Sequence, residues 1–201
     1  MPDDRVAGIL LAAGGATRFG SDKLAAHWEG RTLLQWSATA MLDAGLDPVL
    51  AVVQPGLAPP VPERVTAVVN ERWRRGIATS VHAGLAALGH DPGVCAAVIA
   101  PADQPWCRAD VYRRLLESFR SSGRCVVVAT FDGAMRNPVL LARNQWTLAD
   151  RIEGDTGLSA VVRGLRPLAV ECGDVGSVVD VDTPADLARG RGAQPRTGDA
   201  G

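Results

Sequence analysis

Three glycines and two cations stand close together near the start of the chain: Gly14, Gly15 and Gly20, with Arg18 and Lys23. Glycine lets a backbone turn tightly and bring its amide N–H groups up to a bound anion, and the cations add fixed positive charge at the same place. The pattern describes a cradle for a polyphosphate. Two better-known phosphate loops do not fit it. G-x-x-x-x-G-K-[ST] begins to match at Gly15 and Gly20, but Ser21, Asp22 and Lys23 follow where Lys and then Ser or Thr are required. G-x-G-x-x-G fails because Gly14 and Gly15 are adjacent. A second concentration of polar groups closes the apolar run 94–100, where Pro101, Ala102, Asp103, Gln104 and Pro105 follow. A simple turn has no use for a carboxylate at the end of a fully apolar run, so Asp103 is a candidate for chemistry. His27, His82 and His90 have no Ser or Cys partner at suggestive spacing and are read as surface or packing residues.

Short apolar runs alternate with longer segments of helical period. This predicts an α/β fold, a single-domain Rossmann-like three-layer sandwich around a mostly parallel central sheet. Strands are expected at 6–11, 48–53, 65–69, 94–100, 125–130, 138–141, 168–171 and 178–179. Helices are expected at 31–44, 77–88, 109–120, 144–151 and 157–164, and from Pro184 onward with Thr183 as N-cap. Gly45 is expected to cap the first helix at its C-terminus. Ligands of open parallel sheets bind beyond the carboxyl ends of the strands, where both the glycine-rich loop and Asp103 fall. Asp182, at the end of the apolar run 178–181, would reach the same edge. A chain of 201 residues suits one core. Residues 1–189 are therefore expected to form one domain, with the Gly-, Arg- and Pro-containing stretch 190–201 as a disordered tail.

The formal net charge of −1 leaves no basic excess for a nucleic-acid partner, and Arg72, Arg74 and Arg75 read as a solvated edge. Cys95, Cys107, Cys125 and Cys172 lie far apart without metal-ligand spacing, which points to free thiols in a reducing compartment. No stretch approaches the roughly 20 apolar residues of a membrane span, so the chain is expected in the cytoplasm.

Leu11-Ala12-Ala13-Gly14, Arg18, Gly20 and Lys23 resemble the signature of the MobA-like nucleotidyltransferases, above all the molybdenum cofactor cytidylyltransferases. Asn70, Gly76, Ser80 and Gly84 resemble the second nucleotide-binding segment of that family, and Ala102-Asp103-Gln104-Pro105 its metal-binding strand end. Arg136-Asn137-Pro138, Gly154-Asp155-Thr156-Gly157 and Asp180-Val181-Asp182-Thr183-Pro184 follow in family order, so the resemblance spans about residues 6–188. Two departures stand out: the family often has Gly-His-Pro where this chain has Arg136-Asn137-Pro138, and glycine where it has Ala102.

The resemblance implies transfer of a nucleotidyl group to a phosphorylated acceptor. Attack at the α-phosphorus of a triphosphate needs charge neutralised on both sides, for which a divalent cation, Mg²⁺, is the expected agent. Mg²⁺ takes one or two carboxylates with waters and phosphate oxygens. Asp103 and Asp182 are the expected ligands, with Asp180 a competitor for the second place. Arg18, Lys23 and Asp103 are the expected catalytic set, the two cations steadying charge on the departing pyrophosphate. The triphosphate is expected on Leu11, Ala12, Ala13, Gly14, Gly15, Arg18, Lys23, Asn70, Thr79, Ser80 and Asp103. Ala-Ala-Gly in the first loop goes with pyrimidine nucleotides in the family, which favours CTP. The implied acceptor is the molybdenum-pterin cofactor, on Asn137, Pro138, Asp155, Thr156 and Gly157, with transient contact to a molybdoenzyme or its chaperone. Transfer to a sugar phosphate or another phosphorylated metabolite, and a non-catalytic nucleotide-binding maturation factor, stand as alternatives.

Overall fold

A computed structural model describes residues 4–14, 23–56, 61–154 and 158–189. Elements follow in the order β1 (Arg5–Ala12), β2 (His27–Trp28), β3 (Arg31–Thr32), α1 (Leu33–Asp43), β4 (Val49–Val53), β5 (Val65–Val69), α2 (Ile77–Leu88), β6 (Val94–Pro101), α3 (Ala109–Ser122), β7 (Val126–Phe131), β8 (Ala134–Ala142), α4 (Leu158–Arg163), β9 (Leu168–Glu171) and α5 (Pro184–Arg189). The central sheet has seven strands in the order β5-β4-β1-β6-β8-β7-β9. Only β8 runs against its neighbours, pairing antiparallel with β6 and β7. The fold is the expected single-domain α/β sandwich.

Alternation along the strands divides the core between the two faces. Leu10, Ala51, Val98 and Leu140 pack with Leu33, Leu34 and Met41 of α1 and Val111, Tyr112 and Leu115 of α3. Ile9, Val52, Ile99 and Val139 face the other way, onto Val81, Leu85 and Leu88 of α2 and Leu158 and Val162 of α4. Helix α1 starts at a capping box: Thr32 Oγ1 accepts from Gln35 N, and Gln35 Oε1 accepts from Thr32 N.

The chain leaves β1 for β4 and β5 on one side, then returns to β6 on the other. This reversal opens a crevice at the carboxyl ends of β1 and β6, the topological switch point of a doubly wound sheet. Ala102 N donates to Leu11 O at 3.2 Å and keeps the two strand ends abreast.

Four local expectations are corrected. Residues 178–179 form no strand, because this stretch lies across the strand ends and spends its N–H groups on a loop: Ser177 N donates to Trp106 O at 3.1 Å and Val181 N to Asp103 O at 3.0 Å. The 138–141 strand is the longer β8, which forms a hairpin with β7 through Asp132 and Gly133, both at positive φ. Residues Arg143–Arg151 are 3-10 rather than α-helical. The C-cap of α1 is Ala44, with Gly45 following it at φ 84°. The hairpin of β2 and β3 had no sequence signal strong enough to predict it. Residues 190–201 lie outside the described residues.

Candidate active site

Two hollows open side by side along the carboxyl edge. The first, of about 380 Å³, is lined by Leu11, Ala13 and Gly14 at the end of β1, by Trp73, Arg74, Gly76, Ile77 and Ser80 leading into α2, and by Pro101 and Asp103 at the end of β6. The second, of about 770 Å³, also borders Pro101 and continues past Gln104 and Asp180 to Arg136, Asn137, Ser159 and Arg163. The two meet where β6 ends.

Asp103 sits at that meeting point. Its Oδ2 accepts from Lys23 Nζ at 2.7 Å, and the same ammonium donates to Asp182 Oδ1 at 3.1 Å. Lys23 is mostly buried, its side chain 15% exposed, while Asp182 is half exposed at 54%. Burial depresses the Lys23 pKa, but attraction to Asp103 and Asp182 outweighs it and the net shift is upward. Asp103 Oδ1 is buried with no hydrogen-bond partner among the described residues. A carboxylate oxygen shielded from water and without a donor is suited to a cation, so the residues present fit a divalent metal bound by few protein ligands. No cluster of three or more His, Cys, Asp or Glu that could hold a metal occurs among the described residues.

Gln104 was missed as a site residue. It is buried, and its Nε2 donates to Asp180 Oδ1 at 2.8 Å and to Val178 O at 3.3 Å, which ties the 178–182 stretch to the end of β6. Asp180 is bonded there rather than to Lys23; burial raises its pKa, Gln104 opposes the shift, and Asp103 and Asp182 add to it. Asp180 and Asp182 therefore face different partners, Gln104 and Lys23.

Of the expected nucleotide residues, Lys23 lines neither hollow and bonds to Asp103 and Asp182, and the other described ones separate into two groups. Leu11, Ala13, Gly14, Ser80 and Asp103 line the first hollow. Ala12, Asn70 and Thr79 stand behind its wall. The buried Asn70 donates from Nδ2 to Thr79 Oγ1 at 2.9 Å and Ser80 Oγ at 3.0 Å, and its Oδ1 accepts from Arg72 N at 3.0 Å. It thereby fixes the start of α2 against the end of β5. Gly76 permits the entry to α2: its φ is 102°, and a Cβ there would lie 2.3 Å from Gly154 O, which itself accepts from Ala78 N at 3.2 Å. Arg74 packs over the Trp73 ring at 4.6 Å, so one of the three arginines read as a solvated edge borders the hollow.

In the second hollow, Asn137 is a lining residue and Pro138 is buried behind it. Both lie at an irregularity in β8, where the pairing jumps from Val128 with Val139 to Ala129 with Arg136. Arg136, Ser159 and Arg163 were not predicted, and nothing in their sequence setting distinguishes them from other polar residues on a strand or helix face. Trp106 is buried against Trp28 at 5.8 Å and Trp146 packs beneath Arg143 at 4.7 Å, so both serve packing. Gly15, Arg18, Asp155, Thr156 and Gly157 lie outside the described residues.

Gly14 at the end of β1 and the acidic end of β6 thus share one crevice at a topological switch point. The profile of the MobA-like NTP transferase domain matches residues 8–170, and the chain belongs to that family. It is a nucleotidyltransferase of the MobA-like type. It is 28% identical over 197 residues to the purine catabolism protein PucB of Bacillus subtilis, covering 89% of this chain and 92% of that protein. Among solved structures it is similar to Rv0371c of Mycobacterium tuberculosis, with a TM-score of 0.75, 23% identity and coverage of 94% of this chain and 98% of that one. Rv0371c has also been solved in complex with manganese, matching with a TM-score of 0.71 at 23% identity over 92% and 96% of the two chains. The 2-C-methyl-D-erythritol 4-phosphate cytidylyltransferase of Thermus thermophilus matches with a TM-score of 0.67 at 18% identity over 94% and 98%. At these identities the structural likenesses show the shared fold.

Proposed function

We propose that the protein transfers CMP from CTP to the phosphate of the molybdenum-pterin cofactor, releasing pyrophosphate, with Mg²⁺ as the cation. The observation that carries the reading is the placement of Asp103 in the nucleotide hollow while its neighbours Gln104 and Asp180 border the larger one. A triphosphate seated along Ala13, Gly14 and Ser80 presents its α-phosphorus at the boundary, within reach of an acceptor in the second hollow. An ionised acceptor phosphate supplies the attacking oxygen, the bond from the α-phosphorus to the bridging oxygen breaks, and no side chain has to remove a proton. Asp103 Oδ1, with Asp182, would hold the cation, which supplies charge neutralisation at the reacting phosphate. Lys23 and Arg18 stabilise the charge passing to the pyrophosphate. Asn137, Pro138 and residues 155–157 position the acceptor.

The preference for CTP is supported by Ala13 in the first loop, in keeping with the pyrimidine-using branch that the sequence resembles. The four thiols are free, consistent with a cytoplasmic setting, and no helix among the described residues is long and apolar enough to cross a membrane. Transfer to a small polyol phosphate, the acceptor named for the Thermus thermophilus cytidylyltransferase that shares this fold, is the second reading. Pyrophosphate release from CTP, GTP and ATP, each with the cofactor, with 2-C-methyl-D-erythritol 4-phosphate and with no acceptor, decides between them. The proposal expects release only from CTP with the cofactor; release from GTP in preference, or from the polyol phosphate alone, contradicts it.

A further inference from the structure

We infer that the larger hollow recognises a second anionic group on the acceptor, remote from the phosphate that attacks, and that Arg136 and Arg163 hold it. This deepens the proposed function and rests on its assignment of the 770 Å³ hollow to the acceptor. The hollow has two chemically different ends. Where β6 finishes it is bordered by Pro101, Gln104 and Asp180, next to the proposed metal site. Strand β8 carries the wall onward. Val139 pairs with Ile99, the last residue of β6 in that register, whereas Arg136 pairs with Ala129 of β7, so Arg136 stands beyond the end of β6. Helix α4 packs against β8 and brings Ser159 and Arg163 to the same hollow from one helical face.

Neither guanidinium has a hydrogen bond or ion pair among the described residues, and both side chains are exposed, whereas those of Arg5, Arg113 and Arg114 are each held by a carboxylate. The other charged lining groups are Asp180, bonded to Gln104 at the reaction end, and the exposed Asp132 in the turn between β7 and β8. Two uncommitted guanidinium forks in one hollow match a phosphate, carboxylate or other oxyanion in geometry as well as charge. A polyol monophosphate has one anionic group, which the reaction end already takes, and leaves the arginines nothing to bind. The cofactor, with a phosphate at one end and an anionic sulfur-bound oxometal centre at the other, engages both ends.

The test is anaerobic titration calorimetry on the full chain without CTP. The probes are the molybdenum cofactor and 2-C-methyl-D-erythritol 4-phosphate, bound to wild type, Arg136→Gln, Arg163→Gln and the double variant, with pyrophosphate release measured alongside. Each single substitution is expected to weaken cofactor binding roughly tenfold, the loss of a hydrogen-bonded charge contact, with kcat within about twofold of wild type. Cofactor affinity unchanged in the double variant overturns the inference while leaving the transferase reading standing. Weakened binding in the variants without pyrophosphate release by wild type supports the inference and removes the reading. A wild type that binds only the polyol phosphate, or neither probe, overturns the inference and the cofactor assignment together.

Discussion

Replacing Lys23 with Met removes the cation that joins Asp103 and Asp182 among the described residues, and the structure sets the size of the effect. Breaking a buried ion pair by removing one partner costs about 3–5 kcal/mol, and exposed pairs are worth about 0.2–1 kcal/mol. Lys23 and Asp103 are 15% and 22% exposed, nearer the buried limit, while Asp182 at 54% adds little. A loss of roughly 2–3 kcal/mol follows, which for a chain of this length lowers the melting temperature by about 4–12 °C. The substitution also leaves two carboxylates facing each other without a counter-charge. Millimolar Mg²⁺ or Mn²⁺, without nucleotide, should therefore raise the melting temperature of Lys23→Met well above its value in chelator, and move wild type far less. The clasp has a pH signature as well. The pKa of Lys23 is raised above its ordinary 10.5, so its stabilisation is complete below that pH and fades as pH rises through the higher folded value. The gap between wild type and variant should then close only above pH 10.5. Thermal melts in chelator and in metal, at pH 8 and near pH 11, measure all three effects. A variant that melts with wild type in chelator, or one indifferent to divalent cations, refutes the reasoning.

Three further outcomes are expected. Gly76→Ala should destabilise by roughly 2–4 kcal/mol in urea titration, from the sum of a positive-φ penalty and overlap with Gly154 O, and should weaken CTP binding; a loss under about 1 kcal/mol contradicts the packing described. Thr32→Ala removes the capping box of α1 and should cost about 1 kcal/mol with CTP affinity unchanged, as seen by urea titration and calorimetry. Burial pushes the Cys107 thiol up to about 12 and Cys172 to about 11, so both should stay unmodified by a thiol reagent at pH 8 until denaturant is added, as counted by mass spectrometry.

Most of the fold was legible because its central strands β1, β4 and β6 are apolar on both faces and stop at strong punctuation. Residues 94–100 read as a doubly buried strand and form one. The 77–88 spacing gave α2 because Val81, Leu85 and Leu88 repeat on the face that packs against the sheet. The 178–179 strand was misread because apolar residues in an extended segment look alike whether their N–H groups meet a strand or the loop at Trp106 and Asp103. The antiparallel course of β8 was invisible for a related reason: a buried strand shows its apolarity and not its direction. At the site, Gly14, Lys23 and Asp103 could be read from type and position, since each is chemically costly where it stands. Gln104, Arg74, Arg136 and Arg163 could not. Their part depends on which hollow the topology places them beside, and a single polar side chain on a strand end or helix face carries no such information. Asn70 shows the converse, a residue chosen for binding whose amide is occupied in shaping the wall.

The central claim is that a triphosphate and a divalent cation meet at Asp103. A crystal structure of the protein with Mg²⁺ and a CTP analogue that cannot be cleaved between its α- and β-phosphorus tests it most directly. The account predicts Asp103 Oδ1 coordinated to the cation at about 2.1 Å, an α-phosphate oxygen on the same ion, and Lys23 moved from the carboxylates to the phosphates. Electron density for the triphosphate outside the hollow between Gly14 and Asp103, or a cation that leaves Asp103 uncoordinated, would contradict it.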